Sequence, residues 1–279
     1  MPLVLDGSWF NAAGWQQVSH FLGLPLRARV VRRFSLGARA LRKLTGKHYW
    51  EYCGVPVLRE NPEDQSFDSR FLDAPADCVL MGYFQTPRYF ESMGEELRME
   101  LNGLLQSAWR VGPKGARASG PHGSSISPTG LAPEMIPEQL SSPESVAVHV
   151  RRTDYLHHSA FQVCGEDYHR RAMNEMRNRN FEPKFYIFSD DPEWCRATFT
   201  DPDQEVVRMG TGSANPLHDL HLMSLASNHI IVNSTYSWWA AWLGEKPGQQ
   251  VIMPNRWYSK DIKAPIEEKR MPGWTVIAG

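Results

Sequence analysis

The sequence predicts an α/β protein built on a parallel, doubly wound sheet. Three observations carry that expectation. From Ser145 onward, short apolar runs of strand length alternate with helical segments. Polar sets stand where those runs end. A Gly/Pro/Ser-rich stretch separates this half from the part before it. With 279 residues, 42% hydrophobic and 22% charged, the chain is globular and long enough for one large or two small domains. The formal net charge is -1, so bulk nucleic-acid binding is not expected. No apolar run reaches the roughly 18 residues of a membrane-spanning helix. The first ten residues lack the basic region and apolar core of a secretory leader. The four cysteines, Cys53, Cys78, Cys164 and Cys195, form no CxxC pair. They read as reduced thiols of a cytoplasmic protein.

Residues 7–50 contain no acidic side chain. Arg27, Arg29, Arg32, Arg33, Arg39, Arg42, Lys43 and Lys47 all fall within them. Val30, Phe34, Ala38, Leu41 and Leu44 follow helical spacing, which predicts a basic amphipathic helix. Its apolar stripe meets a core. Alternatively, residues 27–47 form a surface for an anionic membrane or glycolipid, placing the protein peripherally on the inner face of the membrane. Residues 112–143 are dense in Gly, Pro and Ser and lack periodicity. They read as a linker, because such a segment cannot bury enough apolar surface to offset its ordering entropy. The expected division is therefore residues 1–111, a linker over 112–144, and a C-terminal domain over 145–279.

Residues 145–150, 184–188, 229–232 and 250–253 are the expected buried strands. Residues 168–179, 193–199, 217–227 and 236–243 are the expected helices. Pro192 suits a first helical turn, Asn215-Pro216 a helix start and Gly244 a helix stop.

Ligands of open α/β sheets bind outside the carboxyl ends of the strands. The first expected strand ends in His149-Val150-Arg151-Arg152-Thr153-Asp154-Tyr155. Guanidinium forks suit the oxygens of a diphosphate, and Asp154 would orient an arginine or act on a substrate hydroxyl. A surface Arg–Asp pair capping the strand accounts for the same spacing. The second strand ends in Ser189-Asp190-Asp191, which suits ribose hydroxyls, a guanine edge or a helix cap. The third ends in Asn233-Ser234-Thr235-Tyr236-Ser237, a strand-to-helix turn able to present hydroxyls and backbone N–H groups to an anion. Trp238, Trp239 and Trp242 then read as core packing. Asp219, in the first turns of its helix, is either a ligand group or a residue favoured by the helix dipole. Metal signals are weak. His157, His158, Cys164 and His169 match no standard zinc spacing, His218 and His221 lack a third ligand, and Asp201-Pro202-Asp203 reads as a loop. No Walker A, Gly-x-Ser-x-Gly or Gly-x-Gly-x-x-Gly motif follows a strand.

Taken together, these segments resemble glycosyltransferase family 11, the α-1,2-fucosyltransferases, in their bacterial form. The resemblance rests on the segments opening at His149, Phe185 (Phe-Tyr-Ile-Phe-Ser-Asp-Asp-Pro-Glu-Trp), Asp219 (Asp-Leu-His-Leu-Met-Ser), Asn233 (Asn-Ser-Thr-Tyr-Ser-Trp-Trp) and Pro254 (Pro-Asn-Arg-Trp). Weaker similarity surrounds Leu80-Met-Gly-Tyr-Phe-Gln-Thr-Pro-Arg-Tyr-Phe. Several fucosyltransferase families share the Arg-Arg motif, whereas the Asn-Ser-Thr-Tyr-Ser-Trp-Trp run is more specific. The resemblance implies a GT-B-like pair of Rossmann-like domains, with residues 1–111 on the acceptor side and residues 145–279 binding the donor. The family's opening strand and Gly-Gly-x-Gly-Asn-Gln loop have no counterpart here, so the N-terminal domain is expected to be incomplete and activity to suffer. The resemblance further implies GDP-fucose as donor, no metal or other cofactor, and transfer with inversion to the 2-hydroxyl of a galactose-terminated glycan. On the same ground Arg151 and Arg152 neutralise the leaving diphosphate, with Asp154 beside them. His149, Asp190 and Asp219 line the nucleoside pocket, and Asn233, Ser234, Thr235 and Ser237 lie near the phosphates. Two rivals stand beside this reading: an inactive nucleotide-sugar or glycan-binding module, and a metal-dependent enzyme using Asp201 and Asp203.

Overall fold

The computed structural model describes residues 3–6, 28–31, 44–45, 49–52, 54–111, 135–179, 181–207, 216–259 and 262–279. The chain divides into two compact units, Met1–Glu91 and Ser92–Gly279.

In the first unit β1 (Leu3–Asp6) lies parallel to β2 (Ala28–Val31), with Leu3 opposite Ala28. The short helix α1 (Tyr49–Tyr52) precedes β3 (Val57–Arg59), which pairs in parallel with β4 (Val79–Met81). Beside this pair the ring of Phe71 meets those of Phe84 and Tyr89 edge-on, at 4.9 and 6.0 Å. The expected basic helix is corrected at its start. Ala28–Val31 is a strand, because consecutive valines lose rotamer freedom in a helix and fit a pleated surface. Beyond it Leu44 and Thr45 are helical, and the remainder of residues 32–47 lies outside the described residues.

The second unit opens with α2 (Gly94–Val111) and α3 (Met135–Leu140). Then follow β5 (Ser145–Val150), α4 (Glu166–Arg177), β6 (Lys184–Ser189), α5 (Pro192–Thr198) and β7 (Gln204–Val206). The rest is α6 (Pro216–Leu225), β8 (Asn228–Ile230), α7 (Thr235–Leu243), β9 (Val251–Pro254) and β10 (Thr275–Ile277). The six strands form one parallel sheet in the order β10-β9-β8-β5-β6-β7. The chain runs outward from β5 through β6 to β7. It then returns to place β8 on the other side of β5. That reversal puts a topological switch point between β5 and β8, where open α/β sheets bind ligands. Every residue of β5 is buried. Val146, Val148 and Val150 meet Phe185, Ile187, Ile230 and Ile252 in a core covered by Tyr168, Ala172, Met173 and Met176 of α4.

Two boundaries differ from the sequence expectation. Residues 94–111, expected with the N-terminal part, form α2 and belong to the second unit. Arg98 donates from Nε to the Trp242 carbonyl at 3.0 Å with its guanidinium 4.4 Å over the Trp242 ring, and Asn102 donates to the Leu243 carbonyl at 3.0 Å. The expected linker ends in α3, and Leu140 is completely buried; its earlier residues, 112–134, lie outside the described ones. The tryptophans of α7 are packing residues, as expected. Trp238 and Trp242 are buried and stack 6.2 Å apart, and Trp238 donates its indole N–H to the Lys269 carbonyl. Helix α7 ends at Gly244, whose N–H donates to the Ala240 carbonyl. A β-carbon at 244 would stand 2.4 Å from the Ser224 carbonyl oxygen. Gly244→Ala is therefore expected to cost about 1–3 kcal/mol, since a backbone oxygen cannot swing aside like a side chain. Thermal melting should fall by roughly 3–10 °C. An unchanged melting point would show that α6 and α7 separate freely.

Candidate active site

The carboxyl end of β5 carries the two adjacent arginines. Past Val150 the chain leaves the sheet, so both side chains escape the strict alternation of a strand. Arg151 sets Nε 2.8 Å from Asp154 Oδ1, donates from Nη2 to Asp154 Oδ2 at 2.9 Å, and reaches Asp190 Oδ2 at 3.3 Å. Arg152 donates from Nε to Asp191 Oδ2 at 3.1 Å and lies flat over Trp194, 3.7 Å from the ring centroid. One arginine thus faces the β5 turn, and the other is braced on α5.

Asp190 fastens this turn. It accepts from the Arg152 N–H at 2.9 Å, the Thr153 N–H at 3.2 Å and the Thr153 hydroxyl at 2.5 Å. In the structure it makes a positioning contact to the Arg-Arg turn. Asp191 caps α5 by accepting from the Trp194 N–H at 3.2 Å. Partial burial acts to raise the Asp154 carboxyl, but the hydrogen bond and charge of Arg151 hold it below the ordinary carboxylate range. A carboxylate so stabilised is a weak proton acceptor, and its geometry makes it the orienting partner of Arg151.

Across the switch point, α7 begins at Ser234, whose extended backbone (φ -134°, ψ 126°) serves as N-cap. The Trp238 N–H donates to the Ser234 carbonyl at 3.1 Å. The N–H groups of Thr235, Tyr236 and Ser237 precede that bond and have no intrahelical acceptor, which is the arrangement that receives anions. Thr235 is exposed at this tip, and Ser237 is buried with its hydroxyl donating to the Ser234 carbonyl. Tyr155 ties the two sides together by donating to the Asn233 carbonyl at 3.0 Å. Asn233 spends its amide N–H groups on the carbonyls of Phe161 and Trp257, at 3.1 and 3.0 Å, and leaves Oδ1 buried without a donor.

His149, Tyr236 and Asp219 make a second, deeper cluster. His149 is 3% exposed and its Nδ1 has no partner. Burial, reinforced by the charge of Arg151, lowers its pKa to about 3, so the ring is neutral. The Tyr236 ring lies 5.7 Å from it, and the Tyr236 phenol feels the charges of both Asp219 and Arg151. Asp219 is 7% exposed, and burial alone raises its carboxyl to about 7. Buried polar groups without partners cost stability and are retained where a ligand supplies the missing bonds. Residues expected from sequence thus lie around the carboxyl ends of β5, β6 and β8: Arg151, Arg152, Asp154 and Asp190 on the β5–β6 side, and His149, Asp219, Asn233, Ser234, Thr235 and Ser237 towards β8. Sequence reading missed Tyr155 and Tyr236, whose aromatic character beside the polar sets was the available signal.

The Asp201-Pro202-Asp203 turn lies elsewhere. It precedes β7, at the amino end of the sheet. Arg177 clamps it, donating to Asp201 Oδ2 at 3.0 Å and to both oxygens of Asp203 at 2.8 and 2.9 Å. These carboxylates hold a guanidinium and pin α4 to β7. Among the described residues, no three His, Cys, Asp or Glu side chains converge as metal ligands.

A doubly wound parallel sheet, with paired arginines and a helix N-terminus at its switch point, defines a Rossmann-like domain. The chain belongs to glycosyltransferase family 11. The model of that family, glycosyl transferase family 11, matches residues 134–278, from α3 through β10. Over 126 residues the chain is 33% identical to the O-antigen biosynthesis glycosyltransferase WbnK of Escherichia coli, covering 44% of this chain and 42% of that protein. It is 35% identical over 125 residues to an alpha-1,2-colitosyltransferase of Escherichia coli, 42% of each chain. It is 34% identical over 115 residues to galactoside 2-alpha-L-fucosyltransferase SEC1 of Bos taurus, 39% of this chain and 31% of that one. The matches therefore span between 31% and 42% of the length of these relatives.

Proposed function

We propose that this protein is a metal-independent galactoside α-1,2-fucosyltransferase, taking L-fucose from GDP-fucose and placing it, with inversion, on the 2-hydroxyl of a terminal galactose. The acceptor would be a glycan or surface-polysaccharide precursor, and the two units would work as a GT-B-like pair. The observation that carries the reading is the clamped Arg151-Arg152 turn at the switch point. Cleaving the bond between fucose and GDP leaves negative charge on the diphosphate and positive character on the sugar. Fixed guanidinium groups and a helix N-terminus aimed at the leaving oxygens stabilise that charge without reorganising. Arg151 is the group nearest this task, Arg152 supports the turn, and Asp154 and Asp190 hold Arg151 in place. The neutral His149 and the raised Asp219 serve the nucleoside. The unpartnered His149 Nδ1 and the buried Asp219 carboxyl suit hydrogen bonds with a base and its ribose. The named relatives, which include fucosyl- and colitosyltransferases, support sugar transfer of this linkage.

The test is to supply purified protein with GDP-fucose and lactose, and to read the product linkage and anomeric configuration by NMR. An α-1,2 product of inverted configuration is expected. Its rate should be unchanged by EDTA, and Mn²⁺ should raise it only slightly, because the positive charge comes from side chains. Strict metal dependence would overturn the metal-free mechanism. Tight GDP binding without turnover would favour an enzyme-derived binding module.

A further inference from the structure

His169 stands on the first turn of α4, behind the carboxyl end of β5, and is only 2% exposed. Both of its ring nitrogens face carbonyl oxygens. Nδ1 lies 2.8 Å from the carbonyl of Gly165, the N-cap of α4. Nε2 lies 3.1 Å from the carbonyl of His149, two residues before Arg151. A neutral imidazole carries one N–H and one lone pair, so in either tautomer one nitrogen turns its lone pair towards an oxygen. Only the imidazolium donates to both carbonyls. The free protein resists that charge. Burial is the chief influence on the ring and lowers its pKa. The two carbonyls act to raise it and the Arg152 charge lowers it further, with a downward result.

The groups about the ring decide what can change that balance. On α4 the neighbouring Tyr168 ring is 5.3 Å away, and Glu166 and Arg170 pair with each other at 2.7 Å. After α5 the uncharged Phe199 ring closes one side at 6.0 Å. From the β5 end come His149, itself neutral, and Arg152, part of whose charge Asp191 offsets at 3.1 Å. Arg152 is thus the charge that a ligand at the strand end alters. An anion there offsets the guanidinium and attracts an imidazolium directly. We propose that His169 is a positioning residue of the donor site, taking up a proton when a nucleoside diphosphate occupies the Arg151-Arg152 turn and then, as imidazolium, tying the His149 and Gly165 carbonyls together beneath it. The proton comes from solvent and forms one N–H bond on the ring. The two-carbonyl geometry stands by itself, and the identity of the occupant rests on the proposed transfer reaction. The complex holds one more proton than the free protein. GDP affinity therefore falls as pH rises through the ring's pKa in the complex, and levels off above it.

The experiment follows GDP binding to the full chain by calorimetry, in two buffers of different ionisation enthalpy, for wild type and His169→Gln. Glutamine keeps an amide N–H for a carbonyl and does not titrate. Nitrogen-15 NMR of labelled histidine rings, with and without GDP, counts the His169 ring protons in wild type even if the variant fails to fold. Wild type should take up more protons on binding GDP than His169→Gln, by up to about one. Exchange at the phosphate, at Asp219 and at His149 is common to both proteins and cancels. The His169 ring should pass from one N–H to two. Between about pH 8 and about pH 6 the wild-type advantage in GDP affinity should grow by up to about tenfold for each unit of falling pH. A ring that stays singly protonated in the complex overturns the proposal, as does equal proton uptake by the two proteins. A ring already doubly protonated without GDP overturns it too, making His169 a fixed structural cation. In these cases GDP still binds and the donor reading stands. Failure of wild type to bind GDP removes the donor reading and the coupling with it.

Discussion

Arg151→Ala should lower kcat/KM for GDP-fucose by roughly 10²–10³-fold, the loss seen when one fixed donor to a developing anion is removed, about 3–4 kcal/mol. The surrounding charge makes this the largest expected effect on activity. Arg151 is held between Asp154 and Asp190. Without it, both carboxylates would face the leaving diphosphate, and attraction would become repulsion. Arg151→Lys should recover little, because an ammonium cannot span Asp154, Asp190 and a phosphate oxygen together. Arg152→Ala should cost less, since that guanidinium is spent on Asp191 and the face of Trp194. A double-mutant cycle separates orientation from chemistry. If Asp154 acts only through Arg151, Asp154→Ala should have no further effect in the Arg151→Ala background. Near-normal turnover in both Arg151→Ala and Arg152→Ala would show that this turn does not serve the diphosphate.

The parts of the fold legible in sequence are those whose burial leaves a continuous apolar signature. Ser145–Val150 and Lys184–Ser189 are buried on both faces, so their runs stand out, and Pro192, Pro216 and Gly244 mark the helix ends where expected. The edge strands β7 and β10 were not legible. Each has three residues, half-buried for the most part, and nothing in Gln204-Glu205-Val206 separates a short edge from a turn. The basic segment misled for a related reason. Helical spacing across Val30, Phe34 and Ala38 outweighed the local β preference of Val30-Val31, and only the partner strand Leu3–Asp6 reveals which applies. In the site, residue types and strand ends were legible but hydrogen-bond assignments were not. Asp190 reads equally as ribose ligand, base ligand or cap. Its actual partners, the N–H groups of Arg152 and Thr153, lie nearly forty residues away and meet it only once β5 and β6 pair.

Asp219→Asn should stabilise the protein at alkaline pH while weakening its hold on GDP. The Asp219 carboxyl is raised by burial from an ordinary 3.8 to about 7. Between about pH 4 and pH 7 the folded chain therefore keeps a proton that the unfolded chain has released. Stability must fall as pH rises through that window and level off above it. The total is on the order of 4 kcal/mol, taking about 1.4 kcal/mol for each pH unit. Asparagine does not titrate, so the variant should match wild type near pH 4 and exceed it by a few kcal/mol at pH 8. Buried histidines act in the opposite sense. His149 and His229 are lowered to about 3 and about 4 by burial, so their contribution is lost as pH falls below about 6.5. They are common to both proteins and cancel in the difference. Urea unfolding of wild type and Asp219→Asn at pH 4, 6 and 8 gives that difference directly. A purely structural aspartate predicts a variant that is less stable and binds GDP normally. A carboxylate kept in an unfavourable place for the nucleoside predicts the reverse, with GDP affinity at least tenfold lower in the more stable protein. Equal stability at all three pH values would mean that Asp219 is solvated in solution, and unchanged GDP affinity would remove it from the donor site.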